Sequence, residues 1–306
     1  MRTILTVTGL LSLALVVACD KTPPPQDTAT PAASTSASSA QAPAAAKAQP
    51  VTVSGSSALQ PLVNAAKEKY ETAHNGESIE VSAGGSKKGL ADVSSGAVQI
   101  GNSDIVAPAE MAGLVDHKVA VVGFAAMANK GDFNAKIPAL SMKDMAKIFQ
   151  GEVKNWKDLG GTNQPIVIIN RAPASGTRSV FGEIVLGGDK FVESQTEDNS
   201  GALVAKLKQT KGAISYLALS FKDDDLLTFA LKSADGKATI PPTDENIEAG
   251  TYPIVSFEHM YTKGEATGGA KAFLDYVTST DFQEKVLPTV KGFIPVTKMK
   301  AATAAK

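Results

Sequence analysis

An α/β fold with largely parallel sheets is predicted for this chain by two observations. Short apolar runs alternate with amphipathic stretches through most of its 306 residues, and polar, glycine-containing loops recur where a run gives way to a stretch. The runs lie at 51–53, 79–81, 119–127, 166–169, 214–216 and 254–261 and are rich in valine and isoleucine. Folds of this kind carry their ligands at loops outside the carboxyl ends of the strands.

At the N-terminus, Met1-Arg2 gives a positive start, 4–17 is a mainly apolar stretch of 14 residues, and Val16-Val17-Ala18-Cys19 closes it. That stretch is short for a membrane span and has the layout of a secretory signal, so residues 1–18 are expected to be a signal peptide. Cys19 is the one cysteine, which rules out an intramolecular disulfide. Small residues ending in Cys resemble the lipobox of bacterial lipoproteins. That resemblance implies lipidation at Cys19, attachment to a membrane, and a place in the periplasm or on the outer face of the cytoplasmic membrane. Residues 19–50 are mostly Pro, Ala, Ser, Thr and Gln and cannot bury enough surface to offset the entropy of ordering, so they read as a tether. The folded domain is expected over 51–300, with a tail at 301–306.

Three loops within that domain share one design. The run at 51–53 enters Ser54-Gly55-Ser56-Ser57-Ala58-Leu59 and opens a helix expected to reach about Tyr70. The run at 79–81 enters Ala83-Gly84-Gly85-Ser86-Lys87-Lys88-Gly89 and opens another. The run at 166–169 enters Arg171-Ala172-Pro173-Ala174-Ser175-Gly176-Thr177-Arg178, ahead of periodic Val180, Phe181, Ile184 and Val185. The first amides of a helix point outward unpaired and its dipole adds partial positive charge, so each helix start is a ready anion site. Arg171 and Arg178 flank the third, and a guanidinium fork suits a tetrahedral oxyanion. Any one such loop is equally an ordinary capped turn. Three together point to a dehydrated anion whose lost water is replaced by hydroxyls and amides.

Net charge is −1 with Lys and Arg dispersed, which leaves no nucleic-acid footprint. His74, His117 and His259 are isolated and lack metal-ligand spacing, so no metal and no cofactor is expected. Neither a Gly-x-Ser-x-Gly elbow nor a Gly-x-x-x-x-Gly-Lys-Ser/Thr loop is present.

Further segments complete a wider pattern: Ile100-Gly101-Asn102-Ser103-Asp104, Ile148-Phe149-Gln150-Gly151, Asn155-Trp156-Lys157-Asp158-Leu159-Gly160-Gly161, Gly212-Ala213-Ile214-Ser215-Tyr216, Tyr252-Pro253-Ile254, Tyr261-Thr262-Lys263-Gly264 and Gly292-Phe293-Ile294-Pro295-Val296. With the three loops, these resemble the phosphate-binding proteins that serve phosphate ABC transporters, over almost the whole chain beyond the tether. The resemblance implies a two-lobed, periplasmic-binding-protein-like fold of type II, with mostly parallel sheets, helices on both faces and two hinge crossovers. We place these near 125–129 and 256–259, with one lobe at 51–126 plus 257–300 and the other at 127–256. It implies phosphate contacts from Ser56, Ser57, Ala58, Ser86, Asp104, Arg171, Ser175, Gly176 and Thr177, an ABC permease as partner, a monomer and no catalysis. Two departures stand out. The second loop reads Ser-Lys-Lys-Gly where relatives more often have Ser-Gly-x-Gly, and Leu59-Gln60 replaces the Thr-Phe pair of longer members.

Asp104 is unexpected beside an anion unless the ligand brings a proton. Hydrogen phosphate can donate to a carboxylate, whereas sulfate, fully deprotonated at neutral pH, would oppose acceptor to acceptor. Asp in a Gly/Asn/Ser turn can also merely cap its own backbone. Two other functions stay open at this stage: a sensory or adhesive lipoprotein, or a receptor for another oxyanion, on the same scaffold; and a phosphatase-type enzyme, for which Ser57 or Ser175 lacks an evident base.

Overall fold

In the computed structural model, which describes residues 49–299, the expected alternation is realised from the first apolar run onward. The signal segment, Cys19, nearly all of the tether and the tail lie outside the described residues. Strand β1 (Val51–Gly55) leads to α1 (Gln60–Ala73), β2 (Ile79–Ala83) to α2 (Ser86–Ser95), and β3 (Ile100–Ser103) follows. Helix α1 buries Leu62, Val63, Ala66 and Tyr70, one stripe at helical spacing, and carries Pro61 in its first turn, where the missing N–H costs nothing. The chain then runs through β4 (Leu114–Asn129), β5 (Ala139–Leu140), α3 (Met142–Phe149), β6 (Val167–Arg171), α4 (Gly176–Phe181), β7 (Gln195–Glu197), α5 (Ser200–Gln209) and β8 (Ala213–Ala218). It closes with β9 (Leu226–Thr228), β10 (Ala230–Lys232), β11 (Thr239–Ile240), α6 (Asp244–Glu248), β12 (Val255–Lys263), α7 (Gly268–Thr278) and β13 (Phe293–Ile294).

The main sheet has the order β2-β1-β3-β12-β4-β8-β6-β7, with β13 and β9 adding to β4; β11-β10-β5 form a small second sheet. Pairing is parallel at both ends, in β2-β1-β3 and β8-β6-β7, as helical crossovers require. In the middle it is antiparallel, because β4 and β12 traverse the sheet in opposite directions. The predicted parallel sheets thus describe the outer strands, and the long central ones add a mixed region. Strand β4 belongs to both halves: it pairs with β12 as far as Gly123 and with β8 from Phe124 onward. At that change the Phe124 N–H donates to the Ile254 carbonyl (2.8 Å), and the Tyr252 hydroxyl donates to the Phe124 carbonyl (2.7 Å). The two parts of the sheet therefore share one strand, hydrogen-bonded to the 252–254 segment where its pairing changes.

Aromatic packing supports the second half. Trp156 is fully buried, and its indole N–H donates to the Gly212 carbonyl (3.1 Å). The rings of Phe181 and Tyr216 stack at 4.6 Å between centroids, with Phe149 edge-on to both. Phe181 ends α4 and Tyr216 lies in β8, so this cluster fixes the helix that carries Gly176 and Thr177.

Candidate functional site

The parallel register of β1 sets the first half of the site. Gly55 pairs with Ala83 on one side and Asn102 on the other, so the loops that follow all three strands leave from one edge. Gly55 sits at φ +131°, and a Cβ there would press on the Asn102 backbone, 3.0 Å from its nitrogen. Only glycine lets the end of β1 lie this close to β3. Past that edge, Ser56 Oγ donates to the Asp104 carboxylate and accepts from the Ala58 N–H (3.0 Å) and Leu59 N–H (3.3 Å). Ser86, the first residue of α2, accepts from the Asp104 N–H (2.9 Å).

The second half comes from β6 and α4. The Arg171 N–H donates to the Tyr216 hydroxyl (3.3 Å), which anchors the strand end on the aromatic cluster. The guanidinium then reaches across, Nη2 donating to Ser57 Oγ (3.0 Å) and Nη1 to Ser200 Oγ (3.2 Å), while Nε has no partner among the described residues. Thr177 Oγ1 donates to Asp104 Oδ2 (2.9 Å), and the Lys87 N–H donates to the Ala174 carbonyl (3.1 Å). Ser175 serves as the helix cap, its Oγ accepting from the Arg178 N–H (3.2 Å). All nine residues that the sequence singles out, from Ser56 to Thr177, are buried, and Gly176 adjoins the others by packing against Ser86 and Asp104. Ala58 takes part through its backbone alone: its N–H serves Ser56, and its carbonyl accepts from Ser220 Oγ (3.0 Å).

Two arginines flank the third loop in sequence, but only Arg171 faces the site. Arg178 turns outward, with Nε on Asp189 (2.8 Å), its guanidinium over the Phe191 ring (4.6 Å), and Nη1 on the Arg171 carbonyl (2.9 Å). The two lysines of the second loop are exposed on the helix surface, where Lys88 pairs with Asp92. Burial pulls the Arg171 guanidinium downward from its ordinary value, opposed chiefly by the Asp104 carboxylate. A guanidinium keeps its proton even so, leaving one buried cation opposite one buried carboxylate.

One member was not visible in the sequence. Ser200 opens α5, capped by Asn199, and both its N–H (3.2 Å) and Oγ (3.1 Å) meet Ser57 Oγ. Asn199-Ser200-Gly201 has the same hydroxyl-and-glycine makeup as the other loops, but the strand before it, Gln195-Thr196-Glu197, is polar and gives no apolar run. Among the described residues, no group of three or more His, Cys, Asp or Glu side chains could hold a metal ion.

At Gly176 the second half packs directly against the first. A Cβ there would collide with Ser86 Oγ and lie 2.7 Å from the Ser86 Cβ and 2.9 Å from the Asp104 Cβ. Gly176→Ala is therefore expected to hold the halves apart. Oxyanion affinity should fall about tenfold or more, since a displacement near 1 Å costs aligned contacts heavily. Calorimetric titration checks the affinity and small-angle scattering the opening; an unchanged affinity would show that the two loops need not meet.

Fold and site together define a two-lobed binding protein with a buried, hydroxyl-rich cleft holding one cation and one carboxylate. The model of the PBP superfamily domain matches residues 30–281. The phosphate-binding protein PstS of Bacillus subtilis is 48% identical over 254 residues, covering 82% of each chain. Among solved structures, one described as a phosphate ABC transporter substrate-binding protein with bound phosphate, from Clostridium perfringens, aligns with a TM-score of 0.73 at 28% identity. It covers 81% of this chain and all of that one. An ABC-type phosphate transport receptor from Vibrio cholerae shares the fold at 22% identity and a TM-score of 0.62, over 80% of this chain and 99% of its own. The chain belongs to the PBP superfamily and, within it, to the family of phosphate-binding proteins.

Proposed function

We propose that this protein is a receptor that captures inorganic phosphate between its two lobes and delivers it to an ABC permease. The observation that carries this is Arg171 facing Asp104 in a buried setting of Ser56, Ser57, Ser86, Thr177 and Ser200. A tetrahedral oxyanion that also bears a proton satisfies both ends: its oxygens accept from the guanidinium and hydroxyls, and its O–H donates to the carboxylate. We assign the contact set to the nine residues named from the sequence together with Ser200. We place the hinge where β4 changes partners at Gly123 and Phe124, beside 252–255, with closure as a rigid movement of the lobes about that joint.

In this reading the protein is a carrier and not an enzyme. Ser57 Oγ is occupied by Arg171 and Ser200, and neither is a base. Ser56 donates to Asp104, but its lone pairs are taken by two backbone N–H groups, and Ser175 is held as a helix cap. No helix among the described residues is long and apolar enough to cross a membrane. We propose attachment through a lipidated Cys19, with the receptor acting as a monomer outside the cytoplasmic membrane.

Titration of ligand-free protein with phosphate and then sulfate tests the assignment. One-to-one phosphate binding with sulfate silent is expected; equal binding of the two would mean a different oxyanion. Ser200→Ala should weaken phosphate about ten- to a hundredfold, the worth of one hydrogen bond to a charged partner. The same titration checks it, and no change would place Ser200 outside the contact set.

A further inference from the structure

One buried carboxyl has no part in the site as described so far. Glu258 lies on β12, is fully buried, and neither of its oxygens has a hydrogen-bond partner among the described residues. The antiparallel register that sets His259 opposite Ser103 brings Glu258 beside Asp104. Alternation along the strand puts it on the same face as Ser256, whose Oγ donates to the Asp104 carbonyl (2.8 Å). The pairing with β4 is irregular directly after it: Glu258 stands opposite Ala120 and His259 opposite Lys118, which leaves Val119 of β4 as the extra residue.

The other charged or titratable groups on the elements around Glu258 are already engaged or turned to solvent. On β4, Asp116 is bonded to His259 (2.7 Å), His117 to Thr262 (3.2 Å), and Lys118 lies over the Phe257 ring (4.4 Å). On α2, Lys88 pairs with Asp92 and Lys87 is exposed. Across the cleft, Arg171 is bonded to Ser57 and Ser200. That leaves Asp104 as the near neighbour. Two carboxylates cannot both ionise cheaply at such a place. Asp104 has Ser56 and Thr177 as donors, and Glu258 has none. Burial first, and then Asp104, push the Glu258 carboxyl well above the usual carboxylate range.

We propose that Glu258 is a positioning residue for oxyanion recognition, standing uncharged behind Asp104 so that the cleft meets its ligand with a single carboxylate. A bound oxyanion adds negative charge at that spot. A proton on Glu258 therefore favours binding, and affinity is lost as pH rises through its titration. The proposal rests on Asp104 facing the ligand.

The test is the pH profile of phosphate affinity, from neutral to alkaline, for the full chain and for Glu258→Gln. The amide mimics a neutral carboxyl. At neutral pH the variant should bind within about threefold of wild type, as expected of a swap between uncharged groups. On the alkaline side wild-type affinity should fall by up to about tenfold per pH unit, the slope of one linked proton. The variant should not show that fall. Coincident profiles would overturn the proposal, as would a folded variant that no longer binds at neutral pH. Wild type alone supplies a second readout, an infrared C=O band of a buried protonated carboxyl at neutral pH that disappears on the alkaline side. Its absence would overturn the proposal even if Glu258→Gln failed to fold. Failure of the site reading looks different: Asp104→Asn would then leave selectivity between phosphate and sulfate unaltered.

Discussion

Arg171→Ala is expected to weaken phosphate binding by about 2–5 kcal/mol, the range for truncating one partner of a buried, hydrogen-bonded charge pair. The side chain is 1% exposed, and its two terminal nitrogens hold hydroxyls from different parts of the chain, Ser57 and Ser200. Its removal leaves Asp104 as the uncompensated charge of the cleft, so the ligand's negative charge meets a carboxylate with no opposing cation. Arg171→Lys should recover part of the loss but not all of it, because an ammonium keeps the charge and loses the planar fork. Isothermal titration measures both. A loss below about tenfold for the alanine variant would make Arg171 peripheral to the ligand.

Asp104→Asn should act on selectivity more than on affinity. In the native site the carboxylate accepts from Ser56 and Thr177, and a ligand proton would join them. Sulfate brings no proton and would leave acceptors opposed in a buried place, a mismatch that can reach roughly 10⁴-fold. An amide can turn its NH₂ toward the unprotonated anion, so the gap between phosphate and sulfate should narrow by about 10²-fold or more. Competition between the two anions measures it directly, and unaltered selectivity would remove Asp104 from ligand recognition.

Much of the architecture was legible because it depends on local rules. Apolar runs of valine and isoleucine mark the strands, and hydroxyls with glycine mark helix starts, so β1, β2 and β6 and the loops after them fall where expected. The apolar run at 119–127 marks only part of β4, which extends back to Leu114 through Asp116, His117 and Lys118, whose polar side chains hide a strand that its partner β12 holds in place. Ser200 escaped for the same reason, following a polar strand that pairs with β6. Arg171 and Arg178 look equivalent in sequence. Their separation into a site residue and an outer one comes from Asp189 and Phe191, which draw Arg178 away.

The sequence by itself determined which segments become strands and helices, and which loops carry the hydroxyls, the arginine and the aspartate. Those properties follow from side-chain pattern and backbone preference within a few residues. Only the tertiary structure decided which of these groups meet. Asp104 touches Thr177, 73 positions away, and Ser57 touches Ser200, 143 positions away. Contacts over such separations exist because β4 runs through both halves of one sheet and brings their loop edges face to face. Glu258 shows the same division: in sequence it is one acidic residue in an apolar strand, and its place behind Asp104 is set by the register in which β12 pairs with β3.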